Sequence, residues 1–210
     1  MLRAEVWRAR LDEAIAAALV GGRALAVALV DVDGFARHQD ELETDRADAL
    51  LEALAGRLGQ ALPARTLGRL GGDLFAVILS DTEVEEAMTE LGEARQQVLK
   101  TSFKVGRGVR RREVRPTLSV GLAGLRRDGR SAPEVIERAE SALFRAKTLG
   151  GDRLALPSSE RMTLKSSYYP QETLDRLKQL AARQGVKEAV LLREALGDLL
   201  LKYKGQRPQA

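Results

Sequence analysis

The sequence predicts an α/β sandwich with a mostly antiparallel central sheet, followed by a small second domain. Three observations predict it. Short apolar runs alternate with segments whose apolar residues recur at helical spacing. A Gly-Gly turn within residues 69–79 (RLGGDLFAVIL) joins two strand-like runs as in a tight antiparallel hairpin. Finally, basic charge is concentrated after residue 157, which indicates a separate C-terminal segment.

The elements follow in order along the chain, each with its own pattern. We predict helices over residues 2–20, 45–58 and 82–99, and a fourth that begins after Ser131 as N-cap. Thr82 and Glu85 have the spacing of a capping box. Strands are predicted over 24–32, on both sides of the Gly-Gly turn, over 117–125 and over 153–156. The expected inward face of the first helix is Val6, Leu11, Ile15 and Leu19.

Composition excludes several kinds of chemistry. The chain of 210 residues has no Cys and a single His, so disulfides, thiolate metal sites, Cys nucleophiles and His-rich metal sites are excluded. The apolar run at 14–20 is too short to span a bilayer, and acidic residues precede it, unlike in a signal peptide. We therefore expect a soluble, cytoplasmic protein without a membrane partner.

Charge is unevenly distributed over the chain. Residues 158–210 contain ten Lys/Arg and six Asp/Glu, which accounts for the whole net charge of +4. A basic tail favours nucleic acid as partner, although solvated helices often carry such charge too. A second basic stretch, 104–115, contains two glycines. We interpret it as a solvated loop or hairpin, with a phosphate or partner contact as the alternative.

Acidic residues stand at two turns that border buried strands. Asp31 and Asp33 end the strand 24–32, and Asp73 follows Gly71 and Gly72 at the tip of the hairpin. Glycines let a ligand approach the backbone closely, and carboxylates are ligands for divalent cations. A Gly-Gly-Asp sequence alone is usually only a turn, so the other motifs in the chain decide its meaning.

Four blocks, in order, resemble the successive motifs of the GGDEF domain: DVDGF (31–35), RLGGDLF (69–75), TLSVGLA (117–123) and ALFRAKTLGGDRL (142–154). This is the diguanylate cyclase family, whose palm-like fold is similar to that of nucleotidyl cyclases. The resemblance covers residues 2–156 and implies a GGDEF-like domain over 1–156. It also implies that Asp31 and Asp73 hold Mg²⁺ while two GTP molecules are joined into cyclic di-GMP.

The resemblance also identifies a departure at the catalytic position. The residue after Asp73 is an essential Glu in the family and is Leu74 here, and an apolar side chain can neither bind Mg²⁺ nor accept a proton. We therefore expect a degenerate GGDEF domain with no catalytic residue of its own. Whether it still binds GTP–Mg²⁺ or cyclic di-GMP, or only mediates contacts, stays open.

Other nucleotide positions are partly kept. By resemblance, Gln39 replaces a guanine-contacting Asn, Asp48 matches a guanine-contacting Asp, and Lys147 matches a phosphate-contacting Lys. Together with Gly71 and Gly72, these residues form the expected nucleotide-binding set.

The tail follows a short linker at 157–161. A strand-like segment over 162–169 precedes two helical segments separated by Gly185, with their inward positions expected at Leu174, Leu177, Leu180, Ala181, Val190, Ala195, Leu196, Leu199 and Tyr203. One strand and two helices of this size cannot bury a core alone, so a partner chain is expected. Residues 162–205 resemble the ribbon-helix-helix family of small dimeric repressors, which implies a homodimer on double-stranded DNA.

The register of the predicted strand has two alternatives. Alternation by chemistry places Thr163, Lys165 and Ser167 outward, towards DNA, with Met162, Leu164 and Tyr168 inward. Counting back from Pro170 as in the family reverses the faces, because a slip of one residue exchanges them. We favour the chemical register. For the tail as a whole, the alternative to DNA binding is a dimerisation module that never touches DNA.

These expectations combine into one hypothesis. It is a dimeric DNA-binding transcription regulator, in which a catalytically inactive GGDEF domain senses cyclic di-GMP or GTP or serves as a scaffold. The rival is an active diguanylate cyclase whose tail is a dimerisation module. A third interpretation is a docking protein that uses neither nucleotide nor DNA.

Overall fold

A computed structural model describes residues 1–35, 44–105, 112–158, 167–184 and 188–203. The chain divides into two compact units, Met1–Pro157 and Ser158–Ala210. The helices and strands of the first unit are β1 (Leu2–Arg3), α1 (Ala4–Gly21), β2 (Leu25–Val32), α2 (Thr44–Ala61), β3 (Thr66–Gly71), β4 (Leu74–Ser80), α3 (Val84–Leu99), β5 (Phe103–Val105), β6 (Arg112–Val114), β7 (Leu118–Gly124), α4 (Ala132–Thr148) and β8 (Leu154–Ala155).

The first unit is built on one six-stranded sheet with the order β1-β3-β4-β2-β7-β8. The three inner pairings are antiparallel and the two edge pairings are parallel, so the sheet is mixed, with its antiparallel part at the centre. Every residue of the central strand β2 is buried. The α/β fold predicted from sequence is confirmed. The continuous apolar runs predicted these buried strands, since such runs are typical of strands covered on both faces.

Helices cover both faces of this sheet. On one face, α2 and α3 pack on alternate strand residues such as Val30 and Phe75. On the other, α1 and α4 pack on the intervening residues, such as Leu29 and Ile78. Because side chains alternate along a strand, the central strands β2 and β4 contribute to both apolar layers. These two strands therefore lie between two apolar cores.

The buried face of α1 differs from the predicted one. Leu11 and Ile15 are buried as expected, but Val6 and Leu19 are 44% and 43% exposed. Trp7 is fully buried instead, and Gly68 of β3 leaves room for its ring. The helix is thus rotated so that its largest side chain enters the core, which gains the most from burial.

Two predicted helix starts had different outcomes. Ser131 is the N-cap of α4, and its hydroxyl accepts a hydrogen bond from the Glu134 amide. The capping box at Thr82 and Glu85 was wrong. The Thr82 hydroxyl donates to the Ser80 carbonyl at 2.8 Å, and α3 begins one residue later, with Glu83 as an N-cap that makes no side-chain bond.

The basic stretch 104–115 lies partly outside the described residues, since 106–111 are not described. Its two ends form the antiparallel pair β5–β6, with Phe103 opposite Val114. The described part therefore fits a hairpin, the first of the two interpretations drawn from sequence.

The second unit contains α5 (Gln171–Gln184) and α6 (Glu188–Lys202), which pack against each other. Ala181 is buried, but Leu196, Leu199 and Tyr203, expected inward, are 57%, 50% and 48% exposed. Two helices enclose too little volume to cover both of their apolar faces, as expected for a segment predicted to need a partner chain. The inward set, which was drawn for a dimer, therefore stays a prediction.

The predicted strand 162–169 is largely outside the described residues, which resume at Ser167. Ser167, Tyr168 and Tyr169 are not in a strand, and Tyr168, expected inward, is fully exposed. Within the described residues, no helix is both long and apolar enough to cross a membrane.

Candidate nucleotide site

The candidate site lies where β2 and β4 meet the glycine turn. Asp31 is 8% exposed near the end of β2. Its cross-strand neighbours are Leu74, the first residue of β4, and Ser119 of β7. The Leu74 side chain packs against the apolar layer that α1 and α4 form with the sheet. The position expected for a catalytic acid is therefore occupied by a half-buried apolar group beside Asp31.

Lys147 reaches this carboxylate from the last turn of α4. Its Nζ lies 2.9 Å from Asp31 Oδ1, and its side chain is 34% exposed. A cation near a helix C-terminus also interacts favourably with the helix dipole. The residue expected to contact phosphate is thus ion-paired with a residue expected to hold metal.

The electrostatics of Asp31 follow from its burial. Burial raises the pKa of the Asp31 carboxyl to about 7, Lys147 opposes that rise, and the nearby carboxylates Asp73 and Asp33 add to it. An acid that holds its proton near neutral pH is a less available metal ligand, because a divalent cation binds the ionised form.

The hairpin tip brings Asp73 to the same site. The strand register shifts between Arg69 and Gly71, as at a β-bulge, and Gly72 has φ +49°. Arg69 Nε donates to the Gly72 carbonyl at 2.8 Å, and this hydrogen bond stabilises the turn. Burial raises the pKa of Asp73, and the Asp73 backbone amide, Lys147 and Arg69 counter the rise. Arg69 was not among the residues singled out from sequence.

Asp48 projects from α2 beside the hairpin. Its side chain is 67% exposed, and Arg69 Nη2 lies 3.9 Å from its Oδ1. The structure therefore places Asp48, Gly71, Gly72, Asp73, Asp31 and Lys147 around one turn. Gln39, the remaining predicted nucleotide residue, lies outside the described residues.

Asp33 has a structural role that the sequence did not reveal. Its carboxylate accepts hydrogen bonds from Thr117 Oγ1 at 2.7 Å, Ser119 Oγ at 2.5 Å and the Asp152 amide at 2.8 Å. Both oxygens are used, so this carboxylate joins the ends of β2 and β7 to the turn after α4.

The described residues do not fit a resident divalent cation. None of the described Asp, Glu and His side chains form a group of three that could hold a metal ion. Asp31 is paired with Lys147, Asp33 accepts three hydrogen bonds, and Leu74 has no ligand atom. Mg²⁺ needs a near-octahedral set of oxygen ligands, and Asp73 alone supplies little of it.

The predicted DNA-contacting residues lie in the second unit. Thr163 and Lys165 are outside the described residues, and Ser167 is exposed. Their arrangement on a strand stays a prediction.

The fold and the site define a palm-like α/β lobe with carboxylates and a glycine turn at one end of its sheet. The family model described as "Diguanylate cyclase, GGDEF domain" matches residues 5–153. The chain therefore belongs to the GGDEF family. The matched segment ends before the second unit begins.

Several relatives share this lobe. The chain is 30% identical over 142 residues to the response regulator PleD of Caulobacter vibrioides. The aligned segment covers 67% of this chain and 31% of PleD. It is 33% identical over 147 residues to the diguanylate cyclase DgcP of Pseudomonas aeruginosa, covering 69% and 21%. The chain thus spans a third or less of the length of these relatives.

Solved structures agree on the fold. The GGDEF domain of DgcB from Caulobacter crescentus, in complex with c-di-GMP, superposes with a TM-score of 0.67 at 28% identity, covering 73% of this chain and 89% of that one. The FimX GGDEF domain from Pseudomonas aeruginosa superposes with a TM-score of 0.66 at 25% identity, covering 71% and 90%.

Proposed function

We propose that this chain is a dimeric DNA-binding transcription regulator whose GGDEF lobe does not synthesise cyclic di-GMP. The lobe acts as a sensor of GTP or cyclic di-GMP, or as a scaffold. The tail pairs two copies and contacts double-stranded DNA. The lobe and the tail have separate support and are tested separately.

Loss of catalysis rests on one observation, the position of Leu74. Its side chain lies opposite Asp31 and packs into an apolar layer, where the reaction needs an acid. Joining two GTP molecules requires cations on the phosphates and activation of a ribose hydroxyl. An apolar group next to a carboxylate already paired with Lys147 supports neither.

The direct test is turnover. Purified protein is incubated with GTP and Mg²⁺, and the products are separated by chromatography, with an active diguanylate cyclase assayed in parallel. We expect no cyclic di-GMP from this chain. Product formation above that of a heat-denatured sample would overturn the inactive assignment.

Nucleotide sensing is supported by what remains around the turn. Gly71 and Gly72 let a ligand approach the backbone, Arg69 and Lys147 supply positive charge, and Asp48 is exposed beside them. Calorimetry with GTP and with cyclic di-GMP tests this. We expect Asp48→Ala to weaken binding and the exposed Asp12→Ala, on α1, to leave it unchanged. No heat with either ligand would favour the scaffold.

Dimerisation and DNA contact are supported by the tail. Its exposed apolar side chains, such as Leu196 and Leu199, need a cover that two helices do not provide. Its excess of basic residues attracts phosphates.

The DNA test uses a pull-down of fragmented genomic DNA at fixed low salt, with and without cyclic di-GMP. We expect Lys165→Ala, in the predicted strand, to reduce recovery severalfold. Lys178→Ala removes the same charge from an exposed position on α5 and should have a smaller effect. Equal recovery for both variants would count against a DNA-reading strand.

An active diguanylate cyclase with a dimerising tail is the second candidate. It is favoured by the retention of Asp31 and Asp73 at one site. The turnover assay separates the two functions.

A further inference from the structure

The ion pair between Asp31 and Lys147 has a consequence for cation binding at this site. The Asp31 side chain is 11% exposed, and the ammonium group of Lys147 lies 2.9 Å from its Oδ1. A divalent cation on that oxygen would lie close to the ammonium, and the repulsion between the two positive charges disfavours its binding.

Lys147 is held near Asp31 by the turn that follows α4. The carboxylate of Asp33 accepts a hydrogen bond from the Asp152 amide at 2.8 Å. A Cβ on Gly151 would lie 3.0 Å from Asp33 Oδ1, so the turn passes close to this carboxylate. Thr117 and Ser119 donate to the same carboxylate and anchor it to β7.

Arg95 holds the same turn from α3. Its Nη1 donates to the Asp152 carbonyl at 2.7 Å and also pairs with the Asp152 carboxylate. The chain just after Lys147 is thus fixed by Asp33 on one side and Arg95 on the other. The end of α4 that carries Lys147 is therefore joined to β2 through this turn.

We propose that Lys147 is an internal counter-ion that takes the cation position on Asp31, and that Asp33 is the positioning residue that holds it there. The nucleotide-free lobe therefore excludes divalent cations. This inference rests on the proposed function only for the identity of the site, and it holds whether or not the tail contacts DNA.

The local charge balance supports this exclusion. Asp31 and Asp73 carry the negative charge of the site, and Lys147 and Arg69 act electrostatically on them as the positive partners. The Asp33 carboxylate also acts on both as a negative group, and it accepts three hydrogen bonds. The two side-chain cations thus offset part of the negative charge and reduce the electrostatic gain from a divalent cation.

The test measures the binding of Mn²⁺ to the full chain without nucleotide at pH 8. Binding is monitored through the loss of the free-ion signal in electron paramagnetic resonance. We expect wild type to leave the signal nearly unchanged, which sets a lower limit on its dissociation constant. Lys147→Met keeps the length of the side chain and removes its charge, so its dissociation constant for Mn²⁺ should lie about tenfold or more below that limit.

Arg145→Met is the matched control. It removes a positive charge from an exposed position on the same turn of α4 and should not change Mn²⁺ binding. The double variant Asp31→Asn/Lys147→Met should not show the increase in Mn²⁺ affinity expected of Lys147→Met. Equal Mn²⁺ affinity of wild type and Lys147→Met, or an equal gain from Arg145→Met, would overturn the proposal. Should Lys147→Met fail to fold, Lys147→Gln is measured with the same expectation.

Asp33 is tested as a positioning residue with Asp33→Asn. Losing an acceptor at the Gly151–Asp152 turn should weaken the positioning of Lys147. The affinity for Mn²⁺ should then rise, but by less than in Lys147→Met. Asp128→Asn is the control, since Asp128 accepts the Gly124 amide at 2.8 Å at the other end of β7. A folded Asp33→Asn protein with wild-type Mn²⁺ binding would refute its role. Cyclic di-GMP formation by wild type would overturn only the proposed function, because the Mn²⁺ measurements use no nucleotide.

Discussion

The two units of this chain differ in how they bury apolar side chains. In Met1–Pro157 a sheet covered on both faces buries large side chains completely, Trp7 and Phe75 among them. In Ser158–Ala210, by contrast, Ala181 is the single buried apolar residue among those described, and several Leu and Tyr side chains are about half exposed. The comparison teaches that the lobe has the core of an independent domain, whereas the described part of the tail leaves most of its apolar side chains uncovered in the single chain.

The largest effect that we expect is in the core of the lobe. Phe75→Ala empties a fully buried site on β4 and should lower the free energy of unfolding by about 3–5 kcal/mol. Urea unfolding followed by the fluorescence of Trp7, the only Trp, measures it. Tyr169→Ala, at a half-exposed position in the tail, should change this value by less than about 0.5 kcal/mol. Similar losses for both variants would erase the contrast between the units.

Association should depend on the tail. Leu196→Lys places a charge on an apolar side chain of α6 that is 57% exposed. If two copies cover this face, the variant should weaken association about tenfold or more, near 1.4 kcal/mol. Sedimentation equilibrium measures the dissociation constant. Val20→Lys alters a 92% exposed position on α1 and serves as control. An equal effect of both, or a wild-type monomer, would contradict the tail as the dimer interface.

The pH dependence of stability should arise in the lobe. Burial raises the pKa of folded Asp31 to about 7 from 3.8, so folding favours its protonated form. This contribution is present at low pH and is lost as pH rises through 7. Between pH 5 and 8, wild type should lose on the order of 2 kcal/mol that Asp31→Asn does not lose.

Urea unfolding at several pH values gives the slope of stability against pH. Asp12→Asn, on the exposed side of α1, should keep the wild-type slope. A slope that is the same for Asp31→Asn and wild type would show that Asp31 does not titrate in this range.

The smallest effect concerns two helix N-caps within the lobe. Ser131→Ala removes the hydroxyl that accepts the Glu134 amide and should cost about 0.5–1 kcal/mol of stability. Glu83→Ala changes an N-cap that makes no side-chain bond and should cost less. Thermal unfolding of both variants provides the comparison, and a larger loss for Glu83→Ala would contradict the assigned caps.

Much of the lobe could be predicted because its signals are local. The continuous apolar runs around Val27 and Val77 predict buried strands, and the Gly-Gly turn predicts the hairpin. The face of α1 could not be predicted, since Val6 and Trp7 are both apolar and only the space above Gly68 distinguishes them. Thr82 was misassigned because its hydroxyl has a competing acceptor in the Ser80 carbonyl.

At the candidate site, too, some features follow from nearby residues in sequence, and others depend on contacts between distant segments. The resemblance to the GGDEF blocks predicts Asp31, Asp73 and Lys147 as members of the site, because each stands in a recognisable block. Their pairing required the folded chain. The packing of α4 on the sheet sets the distance from Lys147 to Asp31, and the hydrogen bonds to Asp33 come from β7 and the turn after α4.

Amino-acid order thus accounts for the elements, the GGDEF membership and the apolar residue at position 74, since these depend on neighbours along the chain. The rotation of α1, the ion pair at Asp31 and the structural use of Asp33 depend on contacts between segments far apart in sequence. Such contacts are chosen by packing and charge compensation across the whole core, which no local pattern records.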